Sequence, residues 1–192
     1  MKRVYFVAAL LVCASACTTA PTTNTTNARI RITGVNHIAL RVRDVDVTAE
    51  FYKRVLGFTE DVERFGHGVL AFLRAPLSAN HHDLALLQIG EGATDNSPRS
   101  VGLFHFALEV NEIDDLVAAQ ARLEQEGCFQ GASDHGATKA VYGTDPDGNT
   151  FELTWIIPRA EWGEWETAAP IKKPIDLSEA VTERRARQPL AA

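Results

Sequence analysis

His37, His105 and Glu152 are the chain's best set for chemistry: two imidazoles and one carboxylate, the donors with which a protein holds one divalent metal. Each stands in a short, largely apolar run, 35–40, 103–108 and 150–155. Alternation in an extended strand sends His37 and Ala39 to one face and Ile38 and Leu40 to the other. His105 with Ala107, and Glu152 with Thr154, repeat the pattern. Phe104, Phe106, Leu108, Phe151, Leu153 and Trp155 are then expected on the opposite, buried face. Donors on the small-residue face of a concave sheet would occupy one side of an ion and leave its other positions open to substrate. A single histidine in an apolar strand is ordinarily a hydrogen-bonded structural residue. Its recurrence at equivalent places is what points to a site.

The recurrence comes from an internal duplication. One copy spans about 34–89: a strand with His37, a helix, then three strand-like runs ending in His82-Asp83-Leu84-Ala85-Leu86-Leu87. The other spans about 102–157 in the same order. In the first helix, expected over 47–56, Asp46 stands at the cap, Phe51, Tyr52, Val55 and Leu56 take helical spacing, and Gly57 terminates. Its counterpart, expected over 113–126, sets Ile113, Leu116, Val117, Ala121 and Leu123 on one stripe ahead of Gly127. Asp145-Pro146-Asp147-Gly148-Asn149 is a strong turn signal before the last strand. His67, between Gly66 and Gly68, reads as a turn residue.

Asn36-His37-Ile38-Ala39-Leu40, Phe51-Tyr52-Lys53-Arg54-Val55-Leu56-Gly57-Phe58 and Asp145-Pro146-Asp147-Gly148-Asn149-Thr150-Phe151-Glu152 resemble the vicinal oxygen chelate superfamily. The resemblance covers about 34–157. It implies an α+β fold of two tandem βαβββ modules forming one cupped mixed sheet with helices outside. Within that superfamily the chain most resembles extradiol ring-cleaving dioxygenases of the catechol type, whose metal ligands match His37, His105 and Glu152. Those enzymes carry a proton-moving histidine ahead of a His-Asp-hydrophobic-Ala strand, matched by His82, and a tyrosine before the last turn, matched by Tyr142. Asp134-His135-Gly136 adds His135 as a supporting residue. Strict alternation, with Asp83 opposite Glu152, would instead turn His81 into the cup.

The chemistry suits these residue types. A metal with one side open makes catechol and dioxygen neighbours on one ion. A histidine near neutrality accepts and returns the proton, and a phenol donates to a charged oxygen. The resemblance favours Fe(II), with Zn(II) or Mn(II) as alternatives. It also admits a glyoxalase-like isomerase or lyase, an epoxide thiol transferase, or a small-molecule binding protein without chemistry. A glyoxalase-like site would take a carboxylate from the first module's last strand, where only Asp83 or Gln88 is offered. Members of the superfamily close the cup within one chain or across a homodimer, so a homodimer is open.

The amino terminus carries a separate signal. Lys2 and Arg3 precede the apolar run 4–12 and Ala14-Ser15-Ala16-Cys17, a pattern expected of a secretory signal peptide over 1–16. Cys17 resembles a bacterial lipoprotein processing site, and residues 17–32 read as a polar tether. The chain is then expected outside the cytoplasm, periplasmic or tethered to the outer membrane, or else secreted and soluble, with membrane attachment only through Cys17. There the order of divalent affinities favours zinc or copper over ferrous iron at such a site. Cys128 would lack a disulfide partner. A net charge of −6 and the lack of a basic stripe exclude nucleic acid as a partner and leave a small molecule. The remaining stretch, 158–192, is expected to pack Trp162 and Trp165 on the cup or on a second subunit and to form a short helix from Asp176 through Arg185.

Overall fold

The structure, a computed structural model, describes residues 30–94 and 101–187. The expected signal peptide, Cys17 and the tether as far as residue 29 lie outside the described residues. Residues 30–34 are exposed and without regular structure. No helix among the described residues is long and apolar enough to cross a membrane.

In the unit from Val35 onward the duplication is plain. The first module runs β1 (Ile38–Val42), α1 (Val45–Leu56), β2 (Leu70–Leu73), β3 (Leu84–Gln88). The second runs β4 (Phe106–Glu109), α2 (Ile113–Gln125), β5 (Phe129–Asp134), β6 (Thr138–Thr144), β7 (Thr150–Ile156). The class is the α+β arrangement of paired modules, with the strands divided between two sheets, ordered β1-β3-β2 and β4-β7-β6-β5, instead of joined in one. Each module pairs its first strand parallel to its last: Ile38 lies opposite Leu84, and Ala107 opposite Glu152. The run after α1 is reduced to two bridges, Thr59 with Arg74 and Phe65 with Leu70. Gly66, His67 and Gly68, all at positive φ, turn the chain too sharply there for a longer ladder.

α1 starts two residues earlier than its pattern suggested, because Asp44, not Asp46, is its cap. The Asp44 carboxylate accepts from the backbone N–H groups of Asp46 (2.8 Å) and Val47 (3.1 Å). On α2 the buried stripe is Ile113, Leu116, Ala119 and Leu123; Ala121 is exposed, since Leu116, Ala119 and Leu123 keep the three-four spacing that Ala121 breaks. Phe106, Phe151, Leu153 and Trp155 are buried as expected, but Phe104 precedes β4 and is 86% exposed.

An aromatic core joins the modules. Tyr52 of α1 lies 6.1 Å, ring to ring, from Phe151 of β7, and Phe51 lies 6.2 Å from it. The buried Tyr52 hydroxyl donates to the Asp145 carboxylate (3.2 Å), which also accepts from the backbone of Asp147 and Asn149. Asp147 in turn accepts from the Arg43 guanidinium (3.1 Å) and the Thr48 hydroxyl (3.0 Å). The turn read as punctuation is therefore the bolt between the modules, each of its carboxylates hydrogen-bonded.

The carboxy-terminal stretch is built into this unit. Residue Lys173 pairs with Asp134 on the free side of β5 through backbone bonds of 2.7 and 3.0 Å. Helix α3 (Leu177–Arg187), capped by the Asp176 carboxylate and two residues longer than its pattern suggested, buries Leu177 and Val181 in the core. The Trp162 indole donates to the Ile157 carbonyl (2.8 Å). Trp165 lies over Gly136, where a side-chain carbon would meet its ring at 2.6 Å.

Candidate metal centre

β1 and β4 begin at Ile38 and Phe106, so His37 and His105 each stand one residue ahead of a strand, at its mouth. The parallel pairing of β4 with β7 carries His105 to Glu152: its Nε2 lies 3.0 Å from Glu152 Oε2. Glu152 is buried, and Nδ1 of His105 is buried without a hydrogen-bond partner. An orphaned ring nitrogen beside a buried carboxylate is a costly arrangement for groups with nothing to hold.

Tyr142 sits opposite Glu152 across the β6–β7 ladder. Its hydroxyl is 2.8 Å from Nε2 of His135, and Nδ1 of His135 is 2.7 Å from the Ile171 carbonyl. A carbonyl accepts only, so Nδ1 carries the proton and Nε2 accepts from the phenol. Burial, then the charge of Glu152, push the Tyr142 phenol up to about 12. The structure thus brings together four expected residues, His105, Glu152, Tyr142 and His135. Sequence reasoning missed the Ile171 carbonyl, because a backbone acceptor leaves no trace in residue type.

His37 is not among them. It is exposed, with Nδ1 against Asn36 Oδ1 (2.8 Å), and its ring lies 4.4 Å from that of His82. His82 also packs 4.9 Å from Phe72 and 5.2 Å from His81. Burial, then the neighbouring His37 and His81, hold the His82 imidazole below its ordinary value. Alternation does not decide between His81 and His82, because β3 starts at Leu84, after both. Among the described residues, no three of His, Cys, Asp and Glu gather where they could hold a metal. The expected ligand set is divided: His105 with Glu152 in one module, His37 with His82 in the other.

The carboxylate and amide of the first module's last strand are already engaged. Asp83 accepts from the Ala75 N–H, the Ser78 hydroxyl and the Asn80 amide, each at 2.8 Å; burial opposes its charge, but these bonds hold its carboxyl below the usual value. Gln88 Oε1 accepts from the Val45 N–H (3.1 Å). A cleft of about 520 Å³ between the modules, lined by Val55, Pro76, Asp83, Leu108, Ala119 and Arg122 among others, contains none of His37, His82, His105, His135, Tyr142 and Glu152.

This fold and half-site define a class. Residues 34–153 match the Glyoxalase/Bleomycin resistance protein/Dioxygenase superfamily, and the chain belongs to it. It is 32% identical over 134 residues to the catechol-2,3-dioxygenase of Bacillus subtilis, covering 68% of this chain and 44% of that protein. The chain therefore spans less than half of that relative's length. It is 30% identical over 156 residues to biphenyl-2,3-diol 1,2-dioxygenase 3 of Rhodococcus globerulus, covering 75% of this chain and 80% of that protein. Among solved structures, a glyoxylase/bleomycin resistance protein/dioxygenase domain from Frankia sp. EAN1pec is 25% identical with a TM-score of 0.56, covering 66% of this chain and 99% of that one. A glyoxalase/dioxygenase from Nostoc punctiforme, 21% identical, shares the fold at a TM-score of 0.56 over 71% of this chain and 100% of that one.

A divalent ion fits the second module's pair. His105 Nε2 and Glu152 Oε2, 3.0 Å apart, would supply two donors of mixed nitrogen and oxygen character, and the other ring nitrogen, Nδ1, is buried and unbonded. The third expected donor, His37, lies in the other module, beside His82.

Proposed function

We propose that this protein is a metal-dependent ring-cleaving dioxygenase acting on catechol-like aromatics, with His37, His105 and Glu152 as ligands. The observation that carries the reading is the continuous line Glu152, Tyr142, His135 beside His105. It sets a neutral phenol and an imidazole next to a ligand pair. The relatives named for catechol and biphenyl-2,3-diol cleavage support the substrate class. The engagement of Asp83 and Gln88 in structural hydrogen bonds disfavours a glyoxalase-like ligand set.

When bound, a ferrous ion would supply a common template for a catecholate and dioxygen. The residues of the chain do the rest. His105 and Glu152 hold one side and leave the other to substrate. Tyr142 keeps its proton at neutral pH and, on turning its O–H away from His135, can donate it to a substrate oxygen. His82, held below its ordinary value, is uncharged and able to accept a catechol proton and return it. Dioxygen is reduced as its O–O bond breaks, both oxygens enter the product, and one ring C–C bond opens. The same reading takes the export signal and a lipid tether at Cys17 as its location.

Anaerobic loading with ferrous iron, followed by oxygen uptake with a panel of catechols, tests this. Uptake with the yellow colour of a ring-cleaved product is expected, lost in Glu152→Gln. No uptake over the whole panel sinks it.

A further inference from the structure

We infer that the substrate of this site is a catechol carrying a carboxylate on a short side chain, and that Arg41 is the residue that meets the carboxylate. The inference rests on the catechol reading proposed above and names the substituent which that reading leaves open. His37, Ala39 and Arg41 follow one another at every second residue, so the face that starts at His37 runs on to Arg41. Ala39 and Arg41 are exposed on it, while Leu40 and Val42 point into the core.

Strand register lays out the rest of that face. Ala39 lies opposite Ala85, and Ala85 opposite Phe72; Arg41 lies opposite Leu87, and Leu87 opposite Leu70. Cross-strand partners share a face, so one row is two methyl groups beside an aromatic ring and the next is a guanidinium beside two leucines. His37 and His82 stand at the head of these rows with rings 4.4 Å apart, and His82 packs 4.9 Å from Phe72. Two alanines side by side leave room for a flat ring, with Phe72 as a wall and the histidines at its hydroxyl end.

Arg41 is unlike the arginines that follow it. Each of those among the described residues donates to a carboxylate or a backbone carbonyl, as Arg43 does to Asp147 and Arg122 to the Val55 carbonyl. The Arg41 side chain makes no hydrogen bond or ion pair among the described residues, and its cross-strand neighbour Leu87 is itself 41% exposed. A planar guanidinium in an apolar row, with its donors unspent, matches a carboxylate through two parallel hydrogen bonds and selects for it by charge. Arg41 stands four strand residues beyond His37, about 13 Å along the face. A bare catechol is shorter than that span, and about two or three side-chain carbons bring a terminal carboxylate within the guanidinium's reach.

The test compares dihydroxyphenylpropanoates with the neutral propylcatechols of the same substitution pattern, on the full chain loaded anaerobically with ferrous iron. Oxygen uptake gives kcat/KM for each, and Arg41 is exposed, so its replacement leaves the core alone. Wild type is expected to favour the acid about tenfold, through KM, the scale of one charge-assisted pair. Arg41→Gln should bring that ratio close to one, and Arg41→Lys should keep part of it. Added salt should shrink the ratio in wild type but not in Arg41→Gln. Equal handling of acid and alkyl compound by wild type, or an undiminished ratio in Arg41→Gln, overturns the inference. Should no catechol be turned over, the dioxygenase reading falls and equilibrium dialysis of the Zn(II)-supplemented chain against the acid decides here. Retention by wild type and loss in Arg41→Gln then keep the carboxylate subsite, whereas equal retention by both, or by neither, removes it.

Discussion

The Tyr142 hydroxyl lies 2.8 Å from Nε2 of His135, a ring whose other nitrogen is tied to the Ile171 carbonyl at 2.7 Å. The phenol also faces Glu152, its neighbour across the ladder. With Glu152 engaged as a ligand, His135 keeps the phenol's orientation. Tyr142→Phe is therefore expected to lower ring cleavage about 100-fold, the usual scale for losing one donor to a charged oxygen. Bound metal per chain should stay at the wild-type level. A loss of metal alongside activity would instead give Tyr142 a structural duty.

The same phenol makes a prediction for metal-free protein. Burial first, and Glu152 second, raise Tyr142 to about 12. A folded-state value above the unfolded one, near 10, means the native state holds the proton more tightly. Its contribution to stability is full below about pH 10 and is lost as pH rises from about 10 through 12. Ultraviolet titration should show a tyrosine ionising near 12, absent in Tyr142→Phe. Ionisation near 10 would contradict the buried placement.

The bolt between the modules can be weighed. Tyr52→Phe removes one donor from Asp145, which keeps its backbone bonds to Asp147 and Asn149. A loss of about 1 kcal/mol is expected in urea denaturation. Asp145→Ala strips the acceptor from Tyr52 and both backbone donors, and should cost about 3 kcal/mol or more. Equal losses would mean the turn holds itself without Tyr52.

Much of this was legible in the chain because periodic patterns and turn residues act locally. The two module repeats, the end of α1 at Gly57 and the end of β7 to within one residue follow from spacing alone. The cap of α1 was misplaced by two residues because Asp44 and Asp46 are equally good cap residues by type, and only the approach of the chain decides which carboxylate meets the free N–H groups. Phe104 was expected inside because alternation was extended past the true start of β4. Four of the site residues meet because they lie on one parallel pair and one hairpin of a single module. His37 lies in the other module, and no spacing in sequence fixes which face two packed modules turn to one another.

Gly136→Ala probes how the carboxy-terminal stretch supports the site. Gly136 has φ of 88°, where any side chain is strained, and an added carbon would lie 2.6 Å from the Trp165 ring. Gly68 provides the control: its φ is 93°, and nothing lies within 4 Å of the added carbon. Gly68→Ala should therefore cost only the left-handed strain, about 1 kcal/mol. Gly136→Ala adds the displacement of Trp165, for a total of about 3 kcal/mol. Trp165 belongs to the segment that runs on to Ile171, the acceptor of His135, so its displacement should also loosen the Tyr142 hydroxyl. Red-shifted tryptophan emission and slower ring cleavage are expected in Gly136→Ala but not in Gly68→Ala, with metal content unchanged in both. Identical behaviour of the two variants would show that Trp165 does not support His135, and that strain at glycine is the whole effect.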